Sequence, residues 1–304
     1  MGVQPCAEHS EAQRMPIRPE GDCPPQSFPR TDVAGISMPR MLIGTNWLLG
    51  WSHRSLSADA QIKAAYAKPE DFLPVFEAYL SRGIDAVMGP LGEVGFAQIL
   101  QYVQEKLGRR LIIVDTPILG LEDSPQARAK CEAYFKWSAA QGSAFCLLHH
   151  SSVEKLVNKG SGTIERLDDY TKMIRGAGMR PGLSCHMPEL VLYCDRQGYD
   201  VETYIQIYNP MGFLMQVEVE SVAKIINHAK RPVMTIKPMA AGRCTPYVGL
   251  NFVYNTIRPC DMVTVGVHNA REALEDIEIA LAAIERRWPD MSGRGSPAKQ
   301  AALG

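Results

Sequence analysis

The sequence predicts a single α/β domain of the (β/α)8 (TIM) barrel class, and three observations carry that expectation. Short apolar runs alternate with amphipathic helical segments from about residue 40 to residue 287. Eight strand–helix units fit within about 250 residues, the usual size of such a barrel, whereas a doubly wound open sheet uses the same alternation with fewer strands. Five of the runs end in polar or charged groups: Leu111 to Val114 before Asp115, Phe145 to Leu148 before His149 and His150, Gly182 to Ser184 before Cys185 and His186, Val233 to Ile236 before Lys237, and Met262 to Val267 before His268. In a parallel barrel all C-terminal strand ends converge on one face, which is where these folds place their chemistry.

The strands read, in order, as Met41–Thr45, Ala86–Met88, Leu111–Asp115, Ala144–His149, Arg180–Ser184, Tyr204–Ile207, Val233–Lys237 and Met262–Gly266. The helices read as Pro69–Ser81, Val94–Leu107, Pro125–Gln141, Ile164–Ala177, Pro188–Gln197, Val219–Ala229, Gly249–Ile257 and Ala270–Arg287. Ser124 followed by Pro125 is a helix start, with serine as cap and proline in the first turn. Arg175, Gly176 and Gly178 before Pro181 mark a helix end. No Gly-x-Gly-x-x-Gly follows the first strand, which weakens a dinucleotide-binding open sheet. Residues 1–37 and 288–304 lack periodicity and are expected to be disordered tails around a barrel spanning 38–287.

At 304 residues and 46% hydrophobic, the chain can bury one large core. A net charge of −1 gives no basic excess for nucleic acid. No run of 18 apolar residues suggests a membrane span. The first residues lack the charged-then-apolar pattern of a secretory leader, so a cytoplasmic location is expected. The eight cysteines form no CxxC or other tight pair, and Cys131 and Cys146 read as small apolar residues in a reducing compartment.

Several segments, met in order, resemble the aldo/keto reductase superfamily over roughly residues 40–285. They are Ile43-Gly-Thr45, Arg82-Gly-Ile84, Leu147-Leu-His149, Gly182-Leu-Ser184 with His186 and Pro188-Glu189, Gln206-Ile-Tyr-Asn-Pro210, Lys237-Pro-Met-Ala-Ala-Gly242, and Val265-Gly-Val267 with Ala273, Leu274 and Glu275. The resemblance implies an NAD(P)H-dependent carbonyl reductase using Asp, Tyr, Lys and His. Of these, the chain keeps the histidine, His149. Met88 stands at the Asp position, Glu93 at the Tyr position and Thr116-Pro117 at the Thr-Lys pair. That loss removes the proton donor and the groups that tune it. On the cofactor side the resemblance implies Ser184 and Gln206 at the nicotinamide, with Lys237 and Arg271 as further contacts. Cys185 replaces the family's asparagine, and the stacking aromatic is missing from Thr235-Ile-Lys-Pro-Met239.

The strand ends themselves nominate His149, Glu93, Asp115 and His186 as catalytic groups. Together with His268, these residues also form a candidate set for a divalent metal acting as a Lewis acid, although no local His-x-His or His-Glu-x-x-His spacing supports it. The bland alternative is a polar pocket of hydrogen-bonded histidines. For Lys237 a Schiff-base role competes with a structural or phosphate-binding one. Asn46, Trp47 and His53 after the first strand, with Trp51, and Asn209 after the sixth, read as a substrate rim, since aromatic faces suit sugar CH groups. The apolar stretch Met211 to Val219 reads as a lid or a homo-oligomer contact.

Three functional readings follow. The first is an enzyme acting on a small, polar, carbohydrate-like carbonyl or polyol by acid–base or metal-assisted chemistry. The second is a reductase with a rearranged acid. The third is a non-catalytic barrel used for binding or assembly.

Overall fold

The computed structural model describes residues 27–93 and 95–290. Eight parallel strands close into a barrel: β1 (Met41–Gly44), β2 (Ala86–Gly89), β3 (Ile112–Asp115), β4 (Ser143–Leu148), β5 (Arg180–Cys185), β6 (Thr203–Ile207), β7 (Val233–Ile236) and β8 (Met262–Gly266). Each strand pairs with the next in chain order, and β8 closes on β1 with Val265 opposite Ile43. All eight expected strands are present, with ends shifted by at most one residue.

The barrel is wrapped by α1 (Leu73–Leu80), α2 (Phe96–Leu107), α3 (Pro125–Ala140), α4 (Leu167–Gly176), α5 (Glu189–Gln197), α6 (Val219–His228), α7 (Pro246–Thr256) and α8 (Ala270–Glu285). Ser124 caps α3 by accepting from Ala127 N at 3.1 Å, as its Ser-Pro signature implies. Two insertions depart from the plain repeat. A helix at Leu56–Ala65 sits in the loop after β1, and a short helix at His150–Val153 with a small hairpin (Val157–Asn158 with Thr163–Ile164) separates β4 from α4.

The expected N-terminal tail requires correction over its last ten or so residues. Arg30–Val33 and Ile36–Pro39 form an antiparallel hairpin. Its turn residues Ala34 and Gly35 both have positive φ (53° and 78°), as a tight two-residue hairpin turn demands. Val33 and Met38 are fully buried and join the barrel interior. At the other end, Trp288 stacks on Tyr247 at 6.3 Å, and Asp290 N donates to Glu278 at 2.9 Å, so the first residues of the second expected tail are tied down. The remaining tail expectations, residues 1–26 and 291–304, lie outside the described residues.

Strand parity decides what each strand end can do. Leu42, Ala86, Met88, Val114, Phe145, Leu147, Ile205, Met234 and Met262 point inward and fill the barrel. Their neighbours Met41, Ile43, Val87, Ile113, Cys146, Leu148, Tyr204 and Val263 point outward under the helices. Cys131, Cys146, Cys185 and Cys194 are buried free thiols. Among the described residues, no helix is long and apolar enough to cross a membrane.

Candidate active site

A cavity of about 830 Å³ opens at the C-terminal mouth. Its floor is Met88, Ile205, Ile236 and Thr264, inward-facing residues near the C-terminal ends of their strands. Its walls carry His53, His149, His150, His186 and His268, five of the chain's seven histidines, together with Lys237.

The β4 end builds the core of the site. His149 leaves the strand and caps the short helix, where its Nδ1 meets Ser151 Oγ at 2.8 Å and accepts from Ser151 N at 3.3 Å. Accepting a backbone N–H at Nδ1 assigns the neutral ring its proton at Nε2. The His150 ring lies 4.2 Å from that of His149 and stacks on His186 at 3.5 Å, 13° from parallel. Glu154, one helical turn after His150, approaches it at 3.8 Å. Its Oε1 also accepts from His186 N at 2.7 Å and Met187 N at 2.8 Å. Burial pushes the Glu154 carboxyl up, but those contacts outweigh it and hold the group below its usual range.

Burial dominates the titration of the other groups. It drives His149 down to about 4 and His186 down to about 3, with charge on His150 and Lys237 acting in the same direction. It drives the Lys237 ammonium down to about 8. Lys237 Nζ lies 3.2 Å from His53 Nε2. His53 is itself lowered by burial and by Lys237, against the opposing pull of Asp59. At neutral pH the His149 and His186 imidazoles are therefore neutral, and the Lys237 proton is held more weakly than in an ordinary lysine.

On the opposite wall Trp47 meets the His268 ring edge-on at 5.6 Å. Tyr66 Oη donates to the His268 carbonyl at 2.7 Å, and His268 N donates to Glu272 at 2.8 Å, so the loop is pinned while the ring faces the cavity. Asn46, Trp47, Trp51 and His53 line the cavity as read from the sequence, and Glu93 stands exposed at its edge.

Four nominated residues are elsewhere. Asp115 follows inward-facing Val114, so it points out of the barrel. It is fully buried against α3, where it accepts from Ser138 Oγ at 2.6 Å, Tyr134 Oη at 3.1 Å and Leu91 N at 2.9 Å. Burial raises its carboxyl despite those donors. Gln206 follows inward-facing Ile205 and is likewise buried on the outer side, with Oε1 lacking a hydrogen-bond partner. Asn209 is fully buried and folds the next loop, accepting from Met211 N and Phe213 N and donating to Phe213 O. Arg271 lies on the exposed side of α8 beside Glu275, while Glu272, Glu275 and Asp276 of the same helix line the cavity.

The sequence reading missed Arg54, Gln61, Thr116, Ile118 and Thr264 in the lining. It also missed Glu154, which its spacing four residues after His150 would have revealed.

Neither proposed cofactor set is assembled. Among the described residues, no group of three or more His, Cys, Asp or Glu side chains is placed to hold a metal ion. With Asp115 turned away, the nominated cluster loses its buried carboxylate. For a nicotinamide, only Ser184 and Lys237 of the four nominated residues line the mouth.

No family model matches the chain, and no curated protein matches it in sequence. Solved structures do match. A Pseudomonas aeruginosa protein assigned to the aldo-keto reductases aligns with a TM-score of 0.62 at 13% identity, covering 85% of this chain and 98% of its own. A second structure of an aldo-keto reductase assignment from that organism aligns with a TM-score of 0.61 at 13% identity, covering 85% and 97%.

The fold is an aldo-keto-reductase-like barrel.

At this identity the likeness speaks to the fold. Within the aldo-keto-reductase-like barrel, His149 sits at the mouth as the resemblance implies. Met88 lies on the apolar floor and receives the Thr264 hydroxyl at 3.5 Å through its sulfur. Thr116 is the group that β3 presents to the cavity, so neither it nor Pro117 supplies an amine. The amine comes instead from β7, as Lys237.

Proposed function

We propose that this chain is an enzyme acting by acid–base chemistry on a small, polar, carbohydrate-like carbonyl compound or polyol bound in the mouth. One observation carries the reading: a partly desolvated lysine and the neutral imidazoles of His149 and His186 converge on one cavity in which the sequence keeps His149 and abandons the rest of the reductase acid system. Perturbed titratable groups clustered in a cleft are the usual mark of acid–base sites.

The roles follow from the geometry. His149 has Nδ1 committed to Ser151, so it offers Nε2–H to a substrate oxygen. Lys237 lines the same cavity and presents its amine to the same carbonyl group. The stacked pair of His150 and His186 places imidazole nitrogens on the cavity wall to take a proton from the neighbouring carbon. The apolar floor of Met88, Ile205 and Ile236 limits water below the reacting group. Trp47 and Trp51 give CH-binding faces at the rim.

The test is deuterium wash-in at the carbon next to the carbonyl. Small hydroxyaldehydes and hydroxyketones are incubated with the protein in D2O and followed by NMR. The reading expects exchange without nicotinamide and its reduction by about a hundredfold or more in His149→Phe or His186→Phe. Consumption of the carbonyl only when NAD(P)H is supplied would replace this reading with the rearranged reductase. Binding without exchange would replace it with a non-catalytic barrel.

A further inference from the structure

We propose that Lys237 acts covalently, its amine condensing with the carbonyl carbon of a small aldehyde or ketone to form an imine in the barrel mouth. The proposal rests on the reading of the mouth as a site for small carbonyl compounds, and it names the bond that the site makes.

The backbone argues first. Met234 and Ile236 of β7 face the barrel interior, so strand alternation would send residue 237 outward beneath the helices. Lys237 breaks that alternation. Its φ is +60°, in the left-handed region that residues bearing a Cβ avoid. The turn is held by Ala240 N donating to the Lys237 carbonyl at 2.9 Å, and Ala240 and Ala241 are left-handed too, at φ 51° and 54°. Three strained non-glycine residues within five positions thus end β7. The consequence is that an amine lines the cavity beside Ile236 instead of packing outside it. Strain that persists at a cleft and points a reactive group into it is a functional signature.

The surroundings argue second. Among the described residues, Lys237 has no carboxylate within ion-pair distance, and its polar neighbour is the His53 imidazole at 3.2 Å. Arg175, by contrast, holds Asp200 at 2.5 Å and Glu202 at 2.6 Å, and Arg258 holds buried Asp261 at 2.7 Å. A lysine kept for charge or structure would be given such a partner. A lysine kept for nucleophilicity must lose its proton, and burial without a counter-charge favours that loss. With its value lowered to about 8, Lys237 at neutral pH holds on the order of a hundredfold more free amine than an ordinary lysine, which titrates near 10.4.

The proton path is also present. His53 Nε2 accepts the hydrogen bond from Lys237 Nζ, and His53 is exposed at the rim, so it can pass the ammonium proton to water. The amine lone pair then forms a C–N bond as the C=O π pair moves to oxygen, which is held by a hydrogen bond from His149 Nε2–H. A solvent water carries the nitrogen's next proton to that oxygen, and the resulting hydroxyl takes one further proton from solvent and leaves as water while the nitrogen lone pair closes the C=N bond. The sum is carbonyl plus amine plus one proton giving protonated imine plus water, with no oxidant or reductant. The protonated imine is an electron sink for removal of a proton from the adjacent carbon, the step assigned above to the His150 and His186 pair.

The experiment is reductive trapping. The full chain is incubated with glycolaldehyde, glyceraldehyde or dihydroxyacetone, then with borohydride, and read by intact mass and peptide mapping. The expected result is a single adduct, heavier by the carbonyl compound less one oxygen, mapping to Lys237 and forming roughly a hundredfold faster than at any surface lysine. Lys237→Arg abolishes this adduct while retaining the wild-type melting curve, and His53→Ala slows trapping without moving its site. Adducts spread over surface lysines, or trapping undiminished in Lys237→Arg, would overturn the proposal. If trapping fails while deuterium wash-in persists, the covalent step falls and the acid–base reading stands. If both fail, both fall.

Discussion

The two ends of this barrel bury charge in opposite ways. At the N-terminal end the buried groups Arg40 and Asp261 both have hydrogen-bond partners. Arg180 stacks over Phe145 at 5.9 Å and donates to Ala34 O at 2.9 Å, locking the hairpin plug in place. Asp261, fully buried, accepts from Val233 N at 2.8 Å and pairs with Arg258, while Arg40 donates to the Asp261 carbonyl at 3.0 Å. At the C-terminal end Lys237, His149 and His186 are desolvated without a matching carboxylate on the lysine, and their protons are destabilised. The difference separates an end whose charges are tied into the fold from an end whose protons are destabilised, in keeping with the division of labour of such barrels.

The sharpest way to break that comparison is a cavity at the base. Phe145→Ala, with the ring fully buried under Arg180, should cost about 3–5 kcal/mol in urea unfolding and leave ligand binding at the mouth unchanged. Loss of binding at matched folded fraction would mean that the ends are not separable. Asp115→Ala comes next. It strands the donors of Ser138, Tyr134 and Leu91, and should destabilise by about 1–3 kcal/mol with wash-in activity retained. A selective loss of activity would return Asp115 to the site.

The mouth should behave in the reverse sense. Lys237→Met removes a half-buried ammonium that has no carboxylate partner among the described residues, so stability at pH 7 should stay within about 1 kcal/mol of wild type or rise, while function is lost. The pH dependence gives the most diagnostic signals. His149 and His186 titrate lower in the folded chain, at about 4 and about 3, than in the unfolded one. The unfolded state therefore binds more protons below about 6.5, and stability falls as pH drops from there toward 4 and then 3. A His149→Phe, His186→Phe double variant should flatten that slope. Lys237 also titrates lower when folded, so its penalty is full below about 8 and is relieved as pH rises toward 10.4. Lys237→Met should remove that rise. Unfolding curves with the same slopes in wild type and variants would contradict the picture of a desolvated mouth.

Much of this architecture was legible in the residues. Apolar runs ending at Leu148, Ile236 and Val267 located the strands and the active face, because a parallel barrel must bury its strands and expose only their ends. What alternation alone could not settle was the parity of the last residue. Asp115 and Gln206 each follow an inward residue, Val114 and Ile205, and so turn away from the mouth. Lys237 follows inward Ile236 and should have turned away too, but a left-handed backbone brings it back, and no propensity scale anticipates a positive φ at lysine. The hairpin at Arg30–Pro39 escaped notice because each arm has four residues and its turn begins with alanine instead of asparagine or aspartate. Asn209 looked like a rim group and is instead a loop former, a role equally natural for its short amide.

The central claim is that the mouth desolvates Lys237 and holds it as a reactive amine. Titration of the Lys237 side chain by NMR, using 13C-labelled lysine and the Lys237→Arg spectrum for assignment, tests it directly. The account predicts a midpoint near 8, with the other lysines near 10.4. A Lys237 midpoint near 10.4 would contradict it.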